Sequence, residues 1–225
     1  GHKSAALGGT TTVMDFVPQQ PGLPLAESVA LWQEKAAKAA IDYSFHMNIT
    51  QFDDSVALQI PGLLDLGIPT LKVFMAYNGR LRISDEHILH VMQIAHGFGM
   101  LTMLHAEDGD EIEALVAEAL AAGHTAPSWQ ARTRPAASAV RAVQRGIALA
   151  ERSGGTLYIV HMNAAGEADA LTAARKRGLR VMGETCPQYL LFTEEHLQRP
   201  DGAKCVCSPP MRTEQYNQRL WHAIA

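Results

Sequence analysis

Leu71-Lys72-Val73-Phe74-Met75-Ala76, Met100-Leu101-Thr102-Met103-Leu104-His105 and Leu157-Tyr158-Ile159-Val160-His161 are three short apolar runs. Each contains or ends in a residue able to hold a metal. Runs this short and this apolar read as strands buried on both faces. In an α/β barrel, side chains at the C-terminal ends of parallel strands converge on one face, where active sites sit. Lys72, His105 and His161, each on its own strand, therefore read as one site.

Working outward, further strands are expected at Thr11–Val17, Ser44–Thr50 and Arg180–Cys186, and the three runs extend to Thr70–Ala76, Met100–Ala106 and Thr156–Met162. Helical patterns fill the gaps at Leu25–Ala40, Asp85–His96, Glu111–Ala122, Ala136–Arg152, Gly166–Arg177 and Glu214–Ala225. Ser84 is placed to cap the second of these helices, and Gly123 and Gly178 to end the third and fifth. His124–Pro135 reads as a structureless loop over the site or a subunit contact. Alternating strand and helix predicts a parallel sheet. Gly8-Gly9 precedes the first strand and no Gly-x-Gly-x-x-Gly follows it, which disfavours dinucleotide binding. The expected fold is α/β, a TIM-like (β/α)8 barrel present in part, as one domain over residues 1–225.

The net charge of −4 gives no footprint for nucleic acid or an anionic membrane. No apolar run reaches the roughly 18–20 residues of a membrane span. Three cysteines, Cys186, Cys205 and Cys207, are too few and too odd for a disulfide framework. They point to a reducing, cytoplasmic compartment. Cys205-Val206-Cys207 reads as a buried strand with structural thiols.

By the two-residue period Lys72 shares its strand face with Phe74 and Ala76. A buried, unpaired ammonium is costly, so the group is either paired to a carboxylate or chemically changed. One such change is carboxylation, which turns a neutral amine into a carbamate able to bridge two cations. A lone strand-end histidine is commonly a satisfied core residue. Two at equivalent strand ends are more specific, because imidazole is a common ligand of zinc. His46 lies mid-strand and reads as core, and His87, His90 and His96 lie along one helix.

Six stretches closely resemble the D-hydantoinase/dihydropyrimidinase family, cyclic amidohydrolases of the metal-dependent amidohydrolase superfamily. They are Gly8-Gly9-Thr10-Thr11-Thr12-Val13-Met14-Asp15-Phe16, Lys72-Val73-Phe74-Met75-Ala76-Tyr77, His105-Ala106-Glu107-Asp108-Gly109, Ile159-Val160-His161, Glu184-Thr185-Cys186-Pro187-Gln188-Tyr189-Leu190 and Cys207-Ser208-Pro209-Pro210-Met211-Arg212. The resemblance implies that Lys72 is the carboxylated lysine bridging two divalent metals, zinc foremost and manganese as the alternative. It implies that His105 and His161 bind the second metal. Tyr77 would hydrogen-bond the oxyanion, Ser208 would bind the amide edge of the ring, and Phe74 with the Met75–Leu81 loop would shape the pocket. The implied reaction is metal-dependent opening of a cyclic ureide or imide, a hydantoin or dihydropyrimidine, to an N-carbamoyl amino acid. The implied assembly is a homotetramer.

The family also carries a His-x-His pair on its first barrel strand and an Asp on its eighth, with a flanking β-sandwich domain. None of these occurs in the sequence. The six strands correspond to the family's second through seventh, so the chain is expected to be an internal piece of a longer enzyme. It is then expected to hold at most one metal tightly and to turn over little or no substrate. Two rivals share some of these features: an allantoinase or dihydroorotase, and a non-catalytic dihydropyrimidinase-related scaffold protein.

Overall fold

Strict alternation divides every strand between two environments. On β3 (Thr70–Phe74), Leu71 and Val73 point one way and are fully buried, while Thr70, Lys72 and Phe74 point the other. The first set joins a cluster of 33 buried apolar residues between sheet and helices. The second set faces the inner side of the sheet, and there the polar groups gather.

The computed structural model describes all 225 residues. It runs α1 (His2–Leu7), β1 (Thr12–Val17), α2 (Leu25–Ala36), β2 (Asp42–Asn48), α3 (Asp54–Gln59), β3, α4 (Asp85–Gly97), β4 (Leu101–His105), α5 (Gly109–Ala121), α6 (Trp129–Arg132), α7 (Ala136–Ser153), β5 (Thr156–Ile159), α8 (Ala165–Lys176), β6 (Val181–Gly183), α9 (Pro187–Leu191) and α10 (Glu214–Ile224). The six strands pair in parallel in chain order, as a (β/α) barrel requires, and β1 does not pair with β6. The expected α/β class and sequential parallel sheet are present. Register places Lys72 beside Met103, and Phe74 beside His105. No helix is long and apolar enough to cross a membrane.

Local chemistry sets the helix starts that frame the strand ends. The Ser84 hydroxyl accepts from the His87 N–H at 3.1 Å, capping α4 as expected. Asp108 does the same for α5 through the Glu111 N–H at 3.1 Å. At α8 the fully buried Glu167 accepts from the N–H groups of Asn163 at 2.7 Å and Ala164 at 2.6 Å. This fixes the turn directly after His161.

Several expectations shift. The first long helix stops at Ala36, and β2 begins two residues earlier than Ser44. The last strand keeps only Val181–Gly183; Glu184 still donates to the Ile159 carbonyl, and Pro187 starts α9. The His124–Pro135 segment is not structureless, since it contains α6. Cys205-Val206-Cys207 is not a strand: Gly202–Cys205 forms a 3-10 turn, and the three thiols are free and half-buried. Gly202 passes so close to the Leu197 carbonyl that no side chain fits there, which favours the turn. His46 is only half-buried. Its ring packs at a tilt against Phe16, 4.9 Å between centres, and its Nδ1 meets the Thr70 hydroxyl on the inner face.

Candidate active site

Lys72 is 4% exposed and has no carboxylate within ion-pair distance. Its ammonium position lies 5.1 Å from the Phe74 ring centre and 5.7 Å from that of Phe16. Burial lowers its pKa to about 7, opposed by the Glu184 charge. The paired-lysine alternative therefore finds no partner here. A neutral amine near pH 7 has the lone pair that addition to carbon dioxide needs.

The two histidines meet. His105 Nδ1 lies 2.9 Å from His161 Nε2. The other nitrogen of His105, Nε2, lies 2.8 Å from a carboxylate oxygen of Glu107, itself 2% exposed. A carboxylate there holds the proton on Nε2, so Nδ1 presents its lone pair toward His161. Burial lowers the pKa of His105. Burial first, then the nearby His105 and Lys72, lowers His161 to about 2. Both rings are thus neutral at physiological pH. The buried Nδ1 of His161 has no hydrogen-bond partner. Two neutral imidazoles with converging nitrogens beside an amine could contribute donors to a divalent cation. No group of three or more His, Cys, Asp or Glu side chains could hold a metal, so the imidazoles need a further donor, and Lys72 is the one at hand.

Only two non-glycine residues have positive φ: Tyr77 at 68° and His161 at 45°. Each such backbone costs about 1–3 kcal/mol and persists only where its surroundings enforce it. The strain turns the Tyr77 ring back over the strand ends, 5.0 Å from the His105 ring. Ser208 lies near the Tyr77 hydroxyl, whose pKa is raised by burial and by Glu107. Phe74 completes the wall, 5.8 Å from His105 and 6.3 Å from Tyr77.

Gly109 holds the Tyr77 loop in place. A Cβ there would lie 3.0 Å from the Ala76 Cα and 3.1 Å from the Met75 oxygen, and would strike Asn78. Gly109→Ala is expected to destabilise the fold by about 1–3 kcal/mol, as overpacking does. Denaturant unfolding checks this; a loss within error of zero would show that the loop yields freely.

The structure brings together all six residues singled out in the sequence: Lys72, Phe74, Tyr77, His105, His161 and Ser208. Sequence reasoning misses two that contact them, Glu107 and Gln130. Glu107 sits two residues beyond His105, in a run that carries only the family pattern. Nearby, Glu184, whose charge acts on Lys72, accepts from Tyr158 at 3.0 Å. Gln130 donates to the Ser208 hydroxyl at 3.0 Å from the segment read as a loop.

No protein-family model matches the chain. Relatives do. The D-hydantoinase of Geobacillus stearothermophilus is 41% identical over 228 residues, covering 100% of this chain and 48% of that protein. The D-hydantoinase of Rhizobium radiobacter is 43% identical over 98% of the chain and 49% of its own length. The crystal structure of dihydropyrimidinase from Brevibacillus agri superposes with a TM-score of 0.97 at 40% identity, over 99% of this chain and 49% of that one. The chain belongs to the D-hydantoinase/dihydropyrimidinase family. It spans about half the length of the curated relatives it matches. Its six parallel strands are those of a partial TIM-like barrel of this hydantoinase family.

Proposed function

We propose that this chain carries the lysine–histidine half of the metal centre of a cyclic amidohydrolase. The enzyme would open hydantoins or dihydropyrimidines to N-carbamoyl amino acids. The supporting observation is the 2.9 Å approach of His105 Nδ1 and His161 Nε2 beside the buried, unpaired Lys72. His105, His161 and a carboxylated Lys72 would hold the cation, zinc by preference for imidazole and oxygen donors and manganese as the alternative. Such a cation supplies Lewis acidity and lowers the pKa of water. Tyr77 donates its hydroxyl proton toward the oxygen of the attacked carbonyl, a donor held in place before reaction. Ser208 orients the ring's amide edge, and Phe74 with the 75–81 loop excludes water from one side.

The 225 residues are proposed to be one domain forming the central part of a longer, homotetrameric enzyme. The half-length match to its relatives supports the longer chain. Three free thiols suit a reducing, cytoplasmic setting. An allantoinase or dihydroorotase reading has less support, because the similar proteins are named as hydantoinases and dihydropyrimidinases. A non-catalytic scaffold would have no reason to keep Lys72, His105 and His161 together.

The complete polypeptide carrying these residues is expected to open hydantoin or dihydrouracil, read by the ureido product. The 225-residue chain alone is expected to bind one metal ion and to show little or no turnover. Full activity with two metals per 225-residue chain would contradict the partial-centre reading. A complete polypeptide that binds no metal would favour the scaffold.

A further inference from the structure

The segment after α5 connects to the histidine pair through a line of buried and half-buried polar groups. Glu107 is 2% exposed, and an ionised carboxylate at that depth needs partners on both oxygens. Its Oε2 faces His105 Nε2 at 2.8 Å. Its Oε1 lies 3.8 Å from Nε of Arg134, a charge pair rather than a hydrogen bond. Arg134 follows α6 and is anchored at its other end, where Nη1 donates to Gln130 Oε1 at 3.1 Å. A guanidinium is rigid and planar, so anchoring Nη1 restricts where Nε can lie. The Gln130 amide nitrogen donates in turn to the Cys207 carbonyl at 2.9 Å and to the Ser208 hydroxyl at 3.0 Å. Arg212, 5% exposed, closes the arrangement. It donates to the Arg134 carbonyl, and its charge acts on both Glu107 and Glu167.

We infer that Gln130 and Arg134 are positioning residues that tie the His105–His161 pair to the Ser208 loop through Glu107. The inference rests on the reading of Lys72, His105 and His161 as metal donors and of Ser208 as a substrate contact. Glu107 sets which His105 nitrogen carries the proton, and Arg134 sets where Glu107 sits. Gln130 makes the Arg134 position depend on the loop that holds Ser208. A shift of that loop is therefore passed to the imidazole lone pair.

The test uses Zn²⁺ and Co²⁺ with the 225-residue chain. Competition with a chromophoric chelator reads Zn²⁺ affinity, and visible ligand-field absorption reads Co²⁺ coordination. Arg134→Met is expected to weaken Zn²⁺ binding about 10- to 100-fold, the usual cost of losing a partner behind a metal ligand, and to shift the Co²⁺ bands. Arg134→Lys keeps the charge beside Glu107 and is expected to recover most of the affinity. Gln130→Leu removes the tether alone and is expected to weaken Zn²⁺ binding in the same direction, by less than Arg134→Met. Circular dichroism establishes that each metal-free variant is folded at the assay temperature. A folded Arg134→Met with lower thermal stability but the parent's Zn²⁺ affinity and Co²⁺ spectrum would show a merely structural role and overturn the inference. If Arg134→Met does not fold, Gln130→Leu decides, and parent affinity in it overturns the inference. His161→Ala separates the two levels of the argument. Parent affinity in His161→Ala would sink the metal reading itself. Loss there, with parent affinity in Arg134→Met and Gln130→Leu, would sink only the positioning role.

Discussion

Lys72→Met is expected to abolish tight metal binding and to leave the metal-free protein more stable. Both halves follow from the position of one side chain. Metal sites with four protein ligands bind zinc with about 10–16 kcal/mol, so each ligand accounts for roughly 3 kcal/mol, on the order of 10²-fold in affinity. The loss here is expected to be at least that large, because His105 and His161 offer only two nitrogens and no third His, Cys, Asp or Glu stands ready. The stability gain comes from burial. Lys72 is 4% exposed without a carboxylate partner, and methionine fills similar space with no charge to desolvate. The pH dependence gives the signature. Burial depresses the folded-state pKa of Lys72 from 10.5 to about 7, so the native state releases this proton more readily than the unfolded chain. That contribution to stability is full above about pH 10.5 and is lost as pH falls toward 7. Metal-free Lys72→Met is expected to lose this slope and to melt higher near pH 7. Thermal melts across that range check it, and a lower melting temperature near pH 7 would show that the amine has a stabilising partner.

Tyr77→Phe in the complete polypeptide is expected to lower kcat for hydantoin by about 10²–10³-fold, the cost of one oxyanion donor, with little change in KM. Phenylalanine keeps the ring that packs 5.0 Å from His105 and loses only the hydroxyl beside Ser208. The backbone at φ 68° is strained for either residue, so the fold has no reason to respond. A rise in KM with kcat intact would instead assign Tyr77 to ground-state binding.

The parts of this site legible in the sequence share one property: they lie in or just beyond regular strands, Lys72 inside β3, His105 at the end of β4 and His161 two residues past β5. Lys72, His105 and His161 can be placed by counting along apolar runs, and the parallel sheet follows from the alternation of those runs with helices. Tyr77 and Ser208 are visible only through family resemblance, because no periodicity reaches across a loop, whereas Phe74 falls on the Lys72 face by the strand period. Glu107, Gln130 and Arg134 were not legible. Glu107 and Arg134 are 27 residues apart in sequence and meet only in the fold. Helix α6, which carries Gln130, has four residues, too short to show a helical period. His46 was misplaced for a related reason: apolar neighbours on both sides suggested the core, yet alternation turned its ring to the inner face with Phe16 and Thr70. Strand β6 is shorter than expected: Thr185 and Cys186 suit a strand, but pairing with β5 ends at Gly183 and Pro187 starts α9.

X-ray absorption fine structure of the zinc-loaded 225-residue chain tests the central claim most directly. The account predicts one tightly held zinc whose shell contains two imidazole nitrogens at about 2.0–2.1 Å together with oxygen donors. Sulfur scattering at about 2.3 Å, which would place the metal on Cys186, Cys205 or Cys207, would contradict it, as would a chain that retains no zinc at all.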